Sequence, residues 1–241
     1  LWSRGLGDVY KRQLLYGSAF RAPTFAEMYA ANNPVLLGNA HLKPETMDTL
    51  ELAFEYRPRD QWRLGFNLFY YWWSDIIRYV PDAGETTITA QNAGRQQGYG
   101  GELLAEWQVD ETLKLSGNYA YQRSTDQILN HDAGNAPHHQ LYLRADWRFL
   151  PNWQVTPQIS CVLGRDRVSG DLRPAVADYV DVDVTIRRNN VAEHWDVAFS
   201  VRNLFNADIR EPSPFGATAA PIPNDFPQAG RSLYGEIRFR Y

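Results

Sequence analysis

The sequence predicts an all-β protein, an antiparallel up-and-down meander of about ten strands. Three observations carry this prediction. Segments of alternating apolar and polar residues recur along the 241-residue chain, as expected for strands with one apolar and one polar, solvated face. Short and long connections alternate between these segments. No apolar run approaches the ~20 residues of a membrane helix, and helical periodicity is confined to one turn near Thr24–Tyr29.

Ten segments show the alternation. The last one, 231–241, shows it most strictly: Leu233 and Ile237 fall on one face, Arg238 and Arg240 on the other. The first is short and only partly alternating, and Pro157 weakens the seventh because proline removes a ladder donor. The predicted strands are 14–20, 48–56, 62–79, 87–107, 113–122, 140–149, 153–163, 179–187, 195–205 and 231–241.

The connections form two sets. Short links are expected at 57–61, 108–112, 150–152 and 188–194, and long polar links at 21–47, 80–86, 123–139, 164–178 and 206–230. Their strict alternation is typical of a meander with one plain rim and one decorated rim. No change of composition marks a second domain, so 14–241 is predicted to be one β domain.

The composition argues against nucleic-acid binding and against an internal disulfide. A net charge of −4 and a pI near 5.7 give no basic footprint for nucleic acid. The single cysteine, Cys161, excludes an internal disulfide. Residues 1–13 fit no periodicity and resemble translated adapter sequence, so we predict that they are non-native; an irregular loop is the alternative.

Aromatic residues indicate which face is outside. Eight of them lie near a short link or the C-terminus and share the apolar face of their strand: Tyr56, Trp62, Trp107, Trp147, Phe149, Trp153, Trp195 and Tyr241. Trp and Tyr prefer a membrane–water interface, and such a girdle is expected of a transmembrane β-barrel. The opposite face carries too many charges for a dry core. The alternative is that these rings form the core of a soluble sandwich.

Five stretches, in order along the chain, resemble the TonB-dependent outer-membrane receptors. They are F-R-A-P-T-F-A-E-M-Y at 20–29, N-A-H-L-K-P-E at 39–45, N-A-G at 92–94 followed by Gly101-Glu102, V-R-N-L-F-N at 201–206 and G-R-S-L-Y at 230–234. The third departs from the family pattern by an extra Tyr99-Gly100. The terminal aromatic, Tyr241, resembles the family's barrel-assembly signal.

The resemblance implies a 22-stranded barrel in the cell outer membrane with an N-terminal plug. It implies uptake of a scarce ligand, such as a ferric siderophore or cobalamin, powered by TonB, without enzymatic activity or a cofactor. This chain holds about ten strands and no plug, so we expect the C-terminal part of the barrel. The implied partners are outer-membrane lipid, the barrel-assembly machinery through the last strand, and TonB through a missing N-terminal region. Alone, the strands should form an open sheet with bare edges, which lipid disfavours.

Ligand contacts are expected from the long links and the lumen beneath them. Arginine and aromatic side chains suit anionic or planar chelates. The alternative for each single position is a solvated loop residue or a member of the girdle. The candidates are Arg21, Tyr29, Trp73, Arg78, Tyr79, Arg95, Tyr121, Arg123 and Arg165.

No metal site or catalytic residue is predicted. His131, His138 and His139 lie near Asp132, but they lack a zinc-binding helical spacing and are expected to be solvated loop residues. Two further alternatives stay open at this point. One is a complete ten-stranded outer-membrane hydrolase with a histidine and carboxylates at the loop rim. The other is a soluble carbohydrate-binding β-sandwich.

Overall fold

A computed structural model describes residues 10–215 and 225–240. These residues form one short helix, α1 (Phe25–Tyr29), and fourteen strands. The strands are β1 (Tyr10–Arg21), β2 (Leu36–Leu37), β3 (Glu45–Tyr56), β4 (Trp62–Pro81), β5 (Ile88–Gln108), β6 (Leu113–Asp126), β7 (His131–Asp132), β8 (His139–Leu150), β9 (Trp153–Leu163), β10 (Tyr179–Val191), β11 (Trp195–Arg202), β12 (Arg210–Glu211), β13 (Phe226–Pro227) and β14 (Ser232–Phe239).

Ten of these strands follow one another in a single antiparallel sheet, in the order β1-β3-β4-β5-β6-β8-β9-β10-β11-β14. Each neighbour in the sheet is the next long strand in the chain, which confirms the predicted meander of about ten strands. The short strands lie off this path: β2 pairs with β5, β7 pairs with β6, and β12 pairs with β13. Within the described residues the sheet is open between β1 and β14. None of the helices in this part of the chain is long and apolar enough to cross a bilayer.

Strand β1 begins four residues before the predicted start at position 14. Tyr10 pairs with Tyr56 and Gln13 with Ala53 in a continuous register, so residues 10–13 belong to this strand although they fit no periodicity in the sequence. Residues 1–9 lie outside the described part, and the non-native origin of 1–13 stays a prediction. Strand β11 ends at Arg202, before the predicted position 205, because Asn203 turns into the left-handed region (φ 48°) and its side chain bonds the backbone of Ala207.

Proline 157 lies inside β9, as the sequence shows, and its effect is local. Pro157 pairs with Val184 on β10. On the other side, the pairing of β9 with β8 is interrupted between Arg144 and Trp147. Proline has no N–H to donate to one of its two neighbours, so one side of the strand keeps its pairing and the other loses it.

The register places one predominantly apolar face of all ten strands on the same side of the sheet. Leu50 pairs with Tyr70, which pairs with Tyr99, and Val197 pairs with Ile237. No second layer covers this face in the described residues: Leu14 and Ile237 are each 72% exposed. The buried apolar residues instead lie at the rim formed by the long links: Leu42, Ile76, Ile88, Ala90, Val176 and Ile209. A soluble sandwich would bury one face of each sheet, so that alternative is wrong.

Helix α1 starts where the sequence predicts a turn. Thr24 accepts a hydrogen bond from the backbone N of Glu27 (3.2 Å), and the Glu27 carboxylate accepts one from the backbone N of Thr24 (2.7 Å). This capping box satisfies two backbone donors that a helix start otherwise leaves unpaired. The helix stands at the long-link rim, directly after β1.

Candidate functional site

The face opposite the apolar one is polar and lines a cavity of about 1000 Å³ toward the short-link end of β8 to β14. Its charges are mostly compensated. Arg144 pairs with Asp146 at 2.7 Å, and Arg202 pairs with Asp183 at 3.0 Å. A surface of paired ions and amides suits water or another polar surface, since unpaired charges are costly away from water. We call this face the inner wall.

Toward the long-link end the inner wall carries three aromatic residues in a row on β4. Phe69, Tyr71 and Trp73 alternate with the outward-facing Tyr70 and Trp72. The Tyr71 hydroxyl accepts a hydrogen bond from Gln96 Nε2 at 2.7 Å.

Glycines on β5 make room for these rings. A Cβ added at Gly98 would lie 2.4 Å from the Tyr71 ring, and one at Gly100 would lie 2.5 Å from the Phe69 ring. Both distances are far below van der Waals contact, so only glycine allows the rings to lie flat against the sheet at these positions. We call Phe69, Tyr71 and Trp73 the aromatic strip.

An anchored arginine continues the aromatic strip toward the links. Arg78 Nη1 lies 2.6 Å from Asp126 Oδ2, and the Asp126 carboxylate also accepts hydrogen bonds from the backbone N of Ile128 and Leu129. The Arg78 side chain passes over Gly94, where an added Cβ would be 2.8 Å from Nε. The guanidinium is therefore fixed in place while about a third of the side chain stays exposed.

Arg21 ties helix α1 to the sheet. It forms a pair of hydrogen bonds with Glu27 (3.0 and 3.1 Å) and one with Glu45 (2.6 Å). Glu45 is 3% exposed and also accepts from the backbone N of Ile77. These contacts join the first and second family-like stretches and the end of β4 into one unit.

A second ionic cluster joins the link after β9 to the link after β11. Asp225 accepts hydrogen bonds from both terminal nitrogens of Arg167 (2.8 and 2.5 Å) and from the backbone N of Ser213 (2.9 Å). These donors hold the pKa of the Asp225 carboxyl well below its ordinary value, with Arg167 as the main cause. In the same way, Arg173 lowers the pKa of Asp171.

Three potential metal ligands meet at the same rim. Single ligand atoms of Asp132, His138 and Asp166 lie within 4.8 Å of one another, and His138 Nε2 is 2.9 Å from Asp132 Oδ2. The expectation of solvated loop histidines is wrong for two of the three: the His138 side chain is only 20% exposed, and His139 Nδ1 is 2.7 Å from the Tyr119 hydroxyl. His131 is exposed.

The described residues of the predicted girdle all lie on the apolar face beside the short links. Trp62 and Trp107 stack at 4.6 Å between ring centroids, and Trp147, Phe149 and Trp153 form a chain of ring contacts of 5.8 and 6.4 Å. Tyr56 and Trp195 follow the same register. Tyr241 lies outside the described residues. That these residues contact a membrane interface stays a prediction.

A family model described as TonB dependent receptor-like, β-barrel, matches residues 13–204. The chain belongs to this family. Proteins of the family lie in the outer membrane and are receptors and transporters, so the hydrolase alternative is wrong.

Solved structures of TonB-dependent receptors share the fold. The copper transporter OprC superposes with a TM-score of 0.73 at 18% identity, over 97% of this chain and 39% of that one. The ferric enterobactin receptor PfeA from Pseudomonas aeruginosa gives 0.77 at 18%, over 97% and 38%. The FrpB iron transporter from Neisseria meningitidis gives 0.74 at 16%, over 97% and 37%. The chain thus spans about two fifths of their length. No curated protein sequence matches the chain.

In this TonB-dependent receptor barrel the nine sequence-predicted ligand residues do not converge on one pocket. Trp73 lies on the inner wall and Arg78 beside it, and Tyr79 is half-buried further along β4. Arg21 and Arg165 are engaged internally; Arg165 is 2% exposed and donates to the backbone of Arg210. The others lie elsewhere: Tyr121 and Arg123 on the apolar face, with Tyr29 and Arg95 exposed near the rim.

Sequence reasoning missed Tyr71 and Gly98. In the segment 62–79 the alternation of Trp62, Leu64, Phe66, Leu68, Tyr70 and Trp72 indicates the outward face. Phe69, Tyr71 and Trp73 alternate in the same way on the other face. Glycines at every second position of the facing strand, Gly98 and Gly100, are the signal that predicts large rings opposite them.

Proposed function

We propose that the chain forms part of a receptor that takes up a small anionic metal chelate, such as a ferric siderophore, across the outer membrane. Family membership supports the receptor role. The similar solved structures include, by name, a ferric enterobactin receptor, an iron transporter and a copper transporter, which favours an iron or copper ligand over cobalamin for this chain as well.

The aromatic strip is the observation that carries the ligand assignment. Tyr71 and Trp73 present flat rings on the inner wall, and the anchored Arg78, whose charge is paired with Asp126, places guanidinium N–H donors next to them. Aromatic faces and guanidinium groups bind planar and anionic groups through stacking and charge-assisted hydrogen bonds. A chelate with aromatic or carboxylate metal-binding groups fits this pair of surfaces.

The remaining partners follow from the same proposal. Outer-membrane lipid would cover the apolar face and meet the girdle. A plug segment would lie against the inner wall near its polar cavity, and TonB would act through a region outside this chain. The barrel-assembly machinery would engage β14 and the terminal aromatic residue.

Uptake by the full-length receptor containing this chain tests the proposal. The gene is expressed in a receptor-deficient strain, and accumulation of a panel of ⁵⁵Fe-labelled chelates is measured with and without TonB. We expect TonB-dependent accumulation of at least one anionic chelate. No chelate accumulating above the receptor-deficient background, or accumulation independent of TonB, contradicts the proposal.

Two neighbouring tryptophans give a matched pair of variants. Trp73→Ala removes a ring of the aromatic strip, whereas Trp72→Ala removes a ring that is 44% exposed on the apolar face. An aromatic contact contributes about 1 kcal/mol, so we expect Trp73→Ala to weaken chelate binding about fivefold and Trp72→Ala to leave it unchanged. Equal effects of the two substitutions would show that the strip is not the binding surface.

A further inference from the structure

Three side chains of metal-ligand type meet where two long links come together. Asp132 is the last residue of β7, His138 stands immediately before β8, and Asp166 follows β9. The carboxylate of Asp132 is 8% exposed and the imidazole of His138 is 20% exposed, while Asp166 is exposed. Two of the three are therefore held within the protein, and the third approaches from solvent.

The backbone fixes the distance between the two links. The N–H of Asn135 donates to the carbonyl of Asp166 (2.6 Å), and the N–H of His138 donates to the carbonyl of Gly164 (2.9 Å). Gly134, in the left-handed conformation (φ 77°), packs so closely that an added Cβ would lie 2.3 Å from the Val168 backbone N. The three ligand groups thus project from segments already joined by hydrogen bonds, so binding an ion requires little ordering of the chain.

Secondary contacts orient the inner pair. Asp132 Oδ1 accepts from the backbone N of Gly134 at 2.8 Å, which leaves Oδ2 directed at His138 Nε2. The carbonyl of His138 accepts from the backbone N of Gln122 on β6. Hydrogen bonds that orient ligand groups are a regular feature of metal sites.

We propose that Asp132, His138 and Asp166 bind one divalent transition-metal ion of the Zn²⁺ type, which cross-links the two links. One imidazole nitrogen with two carboxylate oxygens suits this class, whereas Mg²⁺ and Ca²⁺ take oxygen ligands. Ligand atoms around one tetrahedral zinc ion lie about 3.4 Å apart, so the exposed Asp166 side chain moves by up to about 1.4 Å toward the other two ligands when the ion binds. Nε2 coordinates only without its proton; its hydrogen bond to Asp132 is then replaced by bonds from both residues to the ion.

The site is independent of the proposed uptake function, because the ion would stay bound between the two long links and would not be the transported ligand. The two tests are also separate: one measures chelate accumulation, and the other measures binding of a free ion.

Isothermal titration of the full-length receptor containing this chain, in detergent micelles and stripped of metal with EDTA, tests the site with ZnCl₂ as the probe. We expect one saturable ion per chain. His138→Ala and Asp166→Asn should each weaken binding at least tenfold. The control His41→Ala removes a histidine that lies in a different long link and is exposed, and it should have no effect. Co²⁺ should give a visible absorption band that both site variants lose.

Limited trypsin digestion of the wild-type receptor, with and without Zn²⁺, supplies a second measurement that needs no variant. Zn²⁺ should slow cleavage after Arg165 and Arg167 in the wild type and should not do so in Asp166→Asn, where the substituted side chain is exposed. The proposal is overturned by an absence of saturable Zn²⁺ binding, by unchanged binding in His138→Ala, or by an equal loss in His41→Ala.

Discussion

Asp225 is the residue on which the packing of two long links depends. Its carboxylate joins Arg167, in the link after β9, to Ser213, in the link after β11, and all three residues are buried. Breaking a buried ion pair by removing one partner costs about 3 kcal/mol or more, because the other charge is left without compensation. A local change at this position is therefore expected to loosen both links without disturbing the strands.

The lowered pKa of Asp225 predicts loosening in acid. An unfolded aspartate titrates near pH 3.9, and Arg167 lowers the pKa of the folded-state carboxyl. The stability from this pair is thus fully present above about pH 4 and is lost as the pH falls through the folded-state pKa. Amide hydrogen exchange of 164–178, measured from pH 6 downward after correction for intrinsic rates, should show protection falling in strong acid.

Asp225→Asn is the variant that tests the assignment. It should reduce protection of 164–178 already at neutral pH and remove the acid-dependent step. Asp208→Asn is the control, because that carboxylate is 71% exposed in its pair with Arg210. An acid step that persists in Asp225→Asn would assign the effect to another carboxylate, such as Asp171.

At the scale of elements, the β4–β5 hairpin holds the aromatic strip, and its geometry depends on glycine. Gly98→Ala forces the Tyr71 ring away from the sheet and disturbs its hydrogen bond with Gln96. Overpacking of this kind costs about 1–3 kcal/mol. We expect weaker chelate binding and a lower unfolding midpoint, measured by titration and thermal denaturation of the full-length receptor.

Gly235→Ala is the matched control for this hairpin. Gly235 also lies within a strand, but an added Cβ there meets nothing within 4 Å. It should leave both ligand binding and the unfolding midpoint unchanged. A Gly98→Ala protein indistinguishable from Gly235→Ala would show that Tyr71 has room to move and that the strip is not rigid.

The strands were largely predictable from the sequence, because the alternation of apolar and polar residues within each strand shows which side chains share a face. Period-two alternation and the change from short to long links depend on neighbouring residues, so β4, β9 and β10 were found close to their observed bounds. Helix α1 matches the single turn of helical periodicity near Thr24–Tyr29, which is also a local pattern. The alternation fails only where the backbone leaves regular geometry, as at Asn203.

The contents of the long links were not predictable, because they depend on residues distant in sequence. Arg165 looks like a solvated loop arginine until the link after β11 covers it. The local sequence offers His131, Asp132 and His139 as partners for His138, whereas Asp166 reaches it only because β8 and β9 are neighbours. Of the candidate ligand residues, those on strands, such as Trp73, could be placed on a face by parity, whereas those in links could not.

At the scale of the whole molecule, the sheet separates an apolar face from a polar one across ten strands. The apolar face of an outer-membrane barrel meets lipid and not water, and we propose the same environment for the exposed apolar side chains of this sheet. The edges of β1 and β14 present unpaired backbone groups within the described residues, and these are costly in lipid. Their neighbours in a closed barrel would come from the remaining three fifths of a receptor of the length seen in the solved structures.

Site-directed spin labelling of β8 in a lipid bilayer tests the orientation of the sheet most directly. After Cys161→Ser removes the native thiol, single cysteines at 141–146 are labelled, and collision with oxygen and with a water-soluble nickel chelate is measured. Oxygen accessibility should peak at Leu141, Leu143 and Ala145, and nickel accessibility at Tyr142, Arg144 and Asp146. The reverse pattern, or accessibility without a period of two, would contradict a sheet whose apolar face meets lipid and whose inner wall meets water.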